Sequence, residues 1–191
     1  MAVLAGRHEL GPDRGRIILR TSRDGLAAQA GHDLTIEATR WSGVLEVKDD
    51  LSPAGLEVRV DMDALVVRNG TGGLKPLTDR DRREIAVTMR KVLASGQYPE
   101  AVFGAAGFEP GAGGGGEING TLTIRGQERP WRVRVTPAGD GRYHADASVL
   151  QSAYGIKPYT AFLGALRVRD AVDVAVDVDL SDATADSGTG S

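Results

Sequence analysis

The chain contains no cysteine. Disulfides, thiolate nucleophiles, zinc–thiolate centres and iron–sulfur clusters are therefore excluded together. Aromatic residues make up only 5% of its 191 residues, so any interior is built mainly from aliphatic side chains. No segment approaches the roughly 20 consecutive apolar residues that a bilayer-crossing helix requires. Residues 1–10 combine neither a basic start nor an apolar run with a small-residue cleavage site. That pattern argues against a secretory signal and makes the cytoplasm the expected location. Charge of one sign is missing too, since 23 Lys and Arg face 26 Asp and Glu for a net charge of −3. The arginines alternate with acids along short segments instead of clustering, so the electrostatic footprint of a nucleic-acid binder is absent.

What the chain does have is period-2 alternation. Leu34 and Ile36 alternate with Thr35 and Glu37, and Leu56, Val58, Val60 and Met62 with Glu57, Arg59, Asp61 and Asp63. Leu122 and Ile124 alternate with Thr121, Thr123 and Arg125, then Trp131, Val133 and Val135 with Arg132 and Arg134. Val172, Val174, Val176, Val178 and Leu180 alternate with Asp173, Ala175, Asp177 and Asp179. Such runs predict antiparallel strands with one dry and one wet face. Gly126-Gln127-Glu128 interrupts two of them and predicts a β-hairpin. The glycine runs at 70–73 and 113–116 lack a strand–loop–helix context and a Gly-Lys-Ser/Thr ending, so turns are expected there and phosphate-binding loops are not.

One segment, about 79–95, has helical period. Thr78 with Asp81 forms a capping-box-like start. Ile85, Met89, Val92 and Leu93 then share a face, and Gly96 is the expected stop. Residues 1–14 read as an irregular arm and 15–180 as the folded domain. Residues 181–191 lack large apolar side chains and read as a disordered tail.

A sheet with one apolar face must cover it. A single helix is too short for that, so the sheet folds onto a second sheet or closes on itself. The expectation is a mainly β fold, an antiparallel β-barrel of about eight strands with one inserted amphipathic α-helix; about eight strands enclose space for side chains or one small ligand. A sandwich fits the same strand pattern. The aliphatic, ring-poor interior leans toward a ligand cavity.

Residues 120–130, Gly-Thr-Leu-Thr-Ile-Arg-Gly-Gln-Glu-Arg-Pro, closely resemble the hairpin of the YceI-like lipid/polyisoprenoid-binding family. Four further stretches match its pattern in order: Trp41 to Val47; Gln97-Tyr98-Pro99-Glu100 with Phe103; Ser152-Ala153-Tyr154-Gly155-Ile156; and the acidic closing run from Val172 to Leu180. Together they span about 16–180. The His-Ser that many members carry near the first strand is missing between Arg16 and Arg23, and residues 79–83 are unusually Arg-rich. The resemblance is therefore to a divergent, non-secreted branch. It implies a lipocalin-like barrel whose elongated apolar cavity holds a polyisoprenoid or another long-chain amphiphile.

On that resemblance the chain is expected to carry or sequester such a lipid, as a binding protein and not an enzyme. No catalytic residue, metal or cofactor is implied. Neither nucleic acid nor stable membrane insertion is expected, and a homodimer is left open. The dry face supplies the expected cavity lining: Leu34, Ile36, Val58, Val60, Leu122, Ile124, Val133, Val174 and Val176. Met89, Tyr154 and Phe162 are expected near its ends, with His32 at the rim. Tyr159 and Phe162 lie in an apolar linker that reads equally as a lid over the mouth or as core. Two other classes stay open. One is a small-molecule enzyme using His32 and Asp33 at the mouth, against the plainer reading that Asp33 caps a turn and His32 bonds a neighbouring strand. The other is a structural or stress-response partner whose barrel is filled by its own side chains. His8, His32 and His144 show no metal-binding spacing, and Ser152, Tyr154 and Lys157 lack the strand–Ser–helix elbow of a nucleophile.

Overall fold

The alternating segments become strands in the computed structural model, which describes residues 4–181. In chain order these are β1 (Gly6–Leu10), β2 (Gly15–Arg20), β3 (Arg23–Asp24), β4 (Asp33–Ala38), β5 (Trp41–Val47), β6 (Pro53–Asp61) and β7 (Leu65–Thr71). Helix α1 (Asp79–Leu93) follows. Then come β8 (Glu100–Pro110), β9 (Gly116–Ile124), β10 (Gln127–Gly139), β11 (Arg142–Leu150), β12 (Thr160–Ala161), β13 (Leu166–Val168) and β14 (Ala171–Asp179).

Eleven strands form one curled antiparallel sheet in the order β1-β5-β6-β8-β9-β10-β11-β14-β2-β4-β7, and β12-β13-β3 form a small second sheet. The count exceeds the expected eight. Part of the excess comes from the N-terminus, where the expected irregular arm is corrected: Gly6–Leu10 pairs with β5, His8 opposite Leu45 and Leu10 opposite Gly43. In this strand the inward position that an apolar residue would mark is taken by His8, so the alternation is illegible. His8 is only 2% exposed, and its Nε2 donates to the Leu4 carbonyl at 2.7 Å. The expected tail begins at Ser181, and its remainder, 182–191, lies outside the described residues.

Register places the turns at two opposite ends of the sheet. Residues 48–52, 111–115 and 140–141 link strands at one end, and the 11–14 turn joins the 140–141 turn there, its Arg14 carbonyl accepting from Asp179 N–H while Leu180 N–H donates to the Gly141 carbonyl. The other end carries residues 21–32, 72–78, 125–126 and 151–170, together with α1. The hairpin between β9 and β10 is tighter than expected. Ile124 pairs with Gln127, and Arg125 and Gly126 sit at φ 51° and 70°, as a two-residue type I′ turn demands. Arg125 Nη1 then donates to the Gly155 carbonyl at 2.6 Å, tying that turn to the stretch after β11.

Helix α1 starts as expected. Asp81 N–H donates to Thr78 Oγ1 at 3.2 Å, and Asp81 Oδ2 accepts from Thr78 N–H at 2.8 Å. It ends earlier than expected, at Leu93, because Ala94 takes the left-handed conformation (φ 51°) and its N–H turns back to the Arg90 and Lys91 carbonyls. Arg82 Nη1 donates to the Arg68 carbonyl at 2.7 Å and fixes the helix to β7.

The core follows the alternation. Ile17, Trp41, Phe103, Leu122, Ile124, Val133, Val149 and Val174 belong to one buried cluster. Gly120 decides how its two large rings meet. It pairs with Trp131 on β10 and lies two residues from Leu122, the partner of Phe103 on β8. A Cβ at Gly120 would stand 2.6 Å from Phe103 Cε2. Without it, Phe103 lies over the backbone and meets Trp131 edge to face, centroids 5.2 Å apart at 81°. Trp131 Nε1 donates to the Ser148 carbonyl at 2.8 Å.

Candidate functional site: two cavities in series

The inner face of the curled sheet does not fill its interior. Inward positions on β8 are Ala101, Phe103, Ala105 and Gly107, and those on β11 are Tyr143, Ala145, Ala147 and Val149. Small residues at alternate inward positions leave a cavity of about 380 Å³. Its wall is apolar, with aliphatic residues that include Ile17, Val58, Val60, Leu122, Val133, Val174 and Val176 beside five aromatic ones, Trp41, Phe103, Phe108, Trp131 and Tyr143.

A second cavity of about 770 Å³ lies toward the α1 end. Leu34 and Ile36 of β4 form one side, the apolar face of α1 (Ile85, Met89, Val92, Leu93) another, and Ile156, Tyr159, Leu166 and Val168 a third. Leu19, Met62, Leu65, Ile124 and Val149 line both cavities. They form a ring of side chains between the two spaces.

Polar groups gather only in the second cavity, where Thr21, Arg23, His32, Lys75, Asp81, Glu84, Thr88, Gln151 and Arg167 reach its wall. Arg23 is held in place: its Nη1 donates to the Gly31 carbonyl at 2.6 Å and its N–H to Asp33 Oδ1 at 2.7 Å. Gly72, at φ 74°, lets the guanidinium pass, since a Cβ there would fall on it. His32 Nε2 donates to the Lys75 carbonyl at 2.7 Å and ties the 72–77 loop to the start of β4. His32 and Asp33 thus bond different partners and are not bonded to each other. Their arrangement fixes two loops at the rim.

Eleven of the thirteen expected site residues lie on these walls. Val58, Val60, Leu122, Val133, Val174 and Val176 face the first cavity, Leu34, Ile36, Met89 and His32 the second, and Ile124 both. Two placements are corrected. Tyr154 is 3% exposed in a short 3-10 turn (Gln151–Tyr154) and packs into the core, not onto a cavity wall. Phe162 is 65% exposed and lines neither cavity. It sits at the tip of the β12–β13 hairpin, where a left-handed backbone turns it outward. Sequence reading missed Arg23 and the second cavity's polar rim. The only signal was polar side chains at 21–24 and 32–33 and around the helix start at 75–84, which long-range loop packing alone brings together.

The three histidines are dispersed, on β1, before β4 and on the outer face of β11. Among the described residues, no group of three or more His, Cys, Asp or Glu could hold a metal ion. His144 instead bridges two carboxylates, with Nδ1 2.6 Å from Asp177, its ladder partner, and Nε2 3.0 Å from Asp146. The Asp177 hydrogen bond raises the imidazole pKa above its ordinary value, with Asp146 adding to the effect and burial opposing it. A raised folded-state value means the stabilisation is complete below the unfolded pKa, about 6.5, and is lost as pH rises through the folded one. His144→Asn should therefore lower the urea midpoint more at acidic than at alkaline pH; equal losses at both would contradict the assignment.

The family model for the YceI-like domain matches residues 21–180. No curated protein matches the chain. Among solved structures, the crystal structure of BcnA from Burkholderia cenocepacia aligns with a TM-score of 0.64 at 16% identity, over 86% of this chain and 94% of that one. The YCEI protein of Campylobacter jejuni aligns with a TM-score of 0.54 at 14% identity, over 75% and 81% of the two chains. At such identities the likeness is one of fold.

Proposed function

This chain belongs to the YceI-like family, and on that premise we propose that it binds one long-chain lipid, an isoprenoid or a similar amphiphile, and carries or sequesters it. The observation behind this reading is the pair of adjoining apolar cavities with five wall residues in common. A chain threaded through that ring would lie in the first cavity, with its polar end among Arg23, His32 and Thr21 in the second. The driving force is removal of methylenes from water, about 0.8 kcal/mol each. Binding of this kind needs no catalytic group. No helix among the described residues is long and apolar enough to cross a membrane, and the lack of cysteine suits the reducing cytoplasm proposed as its setting.

Displacement of a fluorescent fatty-acid probe by straight-chain alcohols of increasing length tests the reading. Affinity should rise about fourfold per added methylene, then level off once the tube is full. Affinity independent of chain length would reject it.

A further inference from the structure

The two ends of the sheet differ in charge and in apolar exposure. Turns at the end remote from α1 carry Asp13, Asp49, Asp50 and Asp140 against Arg14 and Lys48. At the α1 end, segments 20–33, 74–84 and 151–170 hold nine Lys and Arg against six Asp and Glu, although the whole chain is net negative. Lys75, Arg83 and Lys157 make no ion pair among the described residues.

Five large apolar side chains stand in water on loops at this same end: Leu26, Leu74, Tyr159, Phe162 and Leu163. Leu26 and Leu163 are fully exposed. The loops that bear them are joined. Ala27 N–H donates to the Ala165 carbonyl at 2.8 Å, which sets Leu26 beside the β12–β13 tip, and the His32–Lys75 bond holds the Leu74 loop at the rim. Leu74 and Tyr159 also line the second cavity, so the exposed rim is continuous with the tube. Phe162 and Leu163 adopt left-handed backbone at φ 51° and 56°, a conformation bulky residues avoid. That conformation gains no burial for either side chain. Apolar surface concentrated around the polar-rimmed mouth of an apolar tube, beside unpaired bases, marks an interaction site.

We propose that this end docks on a bilayer surface containing anionic lipid. The apolar tips enter the boundary between headgroups and acyl chains, and the bases lie against phosphates. A lipid then passes between bilayer and tube without exposing its chain to water. The proposal rests on the lipid-carrier reading and adds the compartment from which the ligand comes.

Co-sedimentation with vesicles of phosphatidylcholine, with and without phosphatidylglycerol, tests it. The comparison variant is Leu26→Ser/Phe162→Ser/Leu163→Gly, three exposed positions that line neither cavity. The wild type should sediment with the phosphatidylglycerol vesicles and less with phosphatidylcholine alone. The variant should lose about tenfold or more in partition while keeping the wild-type circular dichroism spectrum. It should also keep wild-type affinity for a fluorescent fatty acid delivered from cyclodextrin. Equal partition of variant and wild type, or equal partition of the wild type to both vesicles, overturns the proposal. So does a wild type that ignores both, which would give the rim to a protein partner. The cyclodextrin assay reads the cavity without vesicles: if the wild type fails there, the carrier reading fails, and vesicle binding is judged separately.

Discussion

Ile124→Glu should abolish long-chain lipid binding and cost several kcal/mol of stability. Ile124 is 7% exposed, ends β9 on its inner face and belongs to the ring common to both cavities. A carboxylate there has two courses. It stays ionised without a partner in an apolar wall, or it takes up a proton and leaves a polar group where the chain must pass. Both remove the apolar path. Ile124→Phe separates blockage from unfolding, because it narrows the ring without charge at a cost of about 1–3 kcal/mol. Probes short enough for the second cavity should then bind nearly as before, and longer ones about tenfold or more weakly, the value of roughly two methylenes. Unchanged long-chain affinity in a folded Ile124→Phe protein would disprove threading through the ring.

Phe103→Ala carries the second large effect, a loss of about 3 kcal/mol or more in urea unfolding. Phe103 is 6% exposed, covers the bare backbone of Gly120 and makes the edge-to-face contact with Trp131. Truncation removes that contact, exposes the β9 backbone to the cavity and frees the Trp131 ring. Phe103→Leu keeps most of the volume and should lose less than half as much. Since Phe103 also lines the first cavity, the Ala variant should favour a bulkier chain terminus than the wild type does. A loss below about 1 kcal/mol would mean that the ring contributes little to holding β8, β9 and β10 together.

Much of the sheet was legible because its signal is local. Val58, Val60, Leu122, Ile124, Val174 and Val176 alternate with charged or small neighbours, and each faces a cavity. The capping box at Thr78 and Asp81 is equally local and marks the helix start. Other features were illegible for identifiable reasons. His8 disguises β1, because a buried histidine bonded to the Leu4 carbonyl looks polar in a sequence. The helix stop at Ala94 depends on a left-handed alanine, although Gly96 two residues on is the better-suited residue. Tyr154 and Phe162 carry no periodic context, so their directions are set by the 3-10 turn and the hairpin tip that hold them. The second cavity is assembled from α1, β4 and the 155–168 stretch, segments far apart in the chain. Its polar rim could be recognised only once the loops were in place.

Native mass spectrometry of the protein as purified, followed by organic extraction and identification of the released molecule, tests the central claim most directly. One long-chain amphiphile per chain is expected, lost on denaturation and absent from the Ile124→Glu variant. A wild type that carries no such molecule, and takes up none after incubation with polyprenols, fatty acids and quinones, would contradict it.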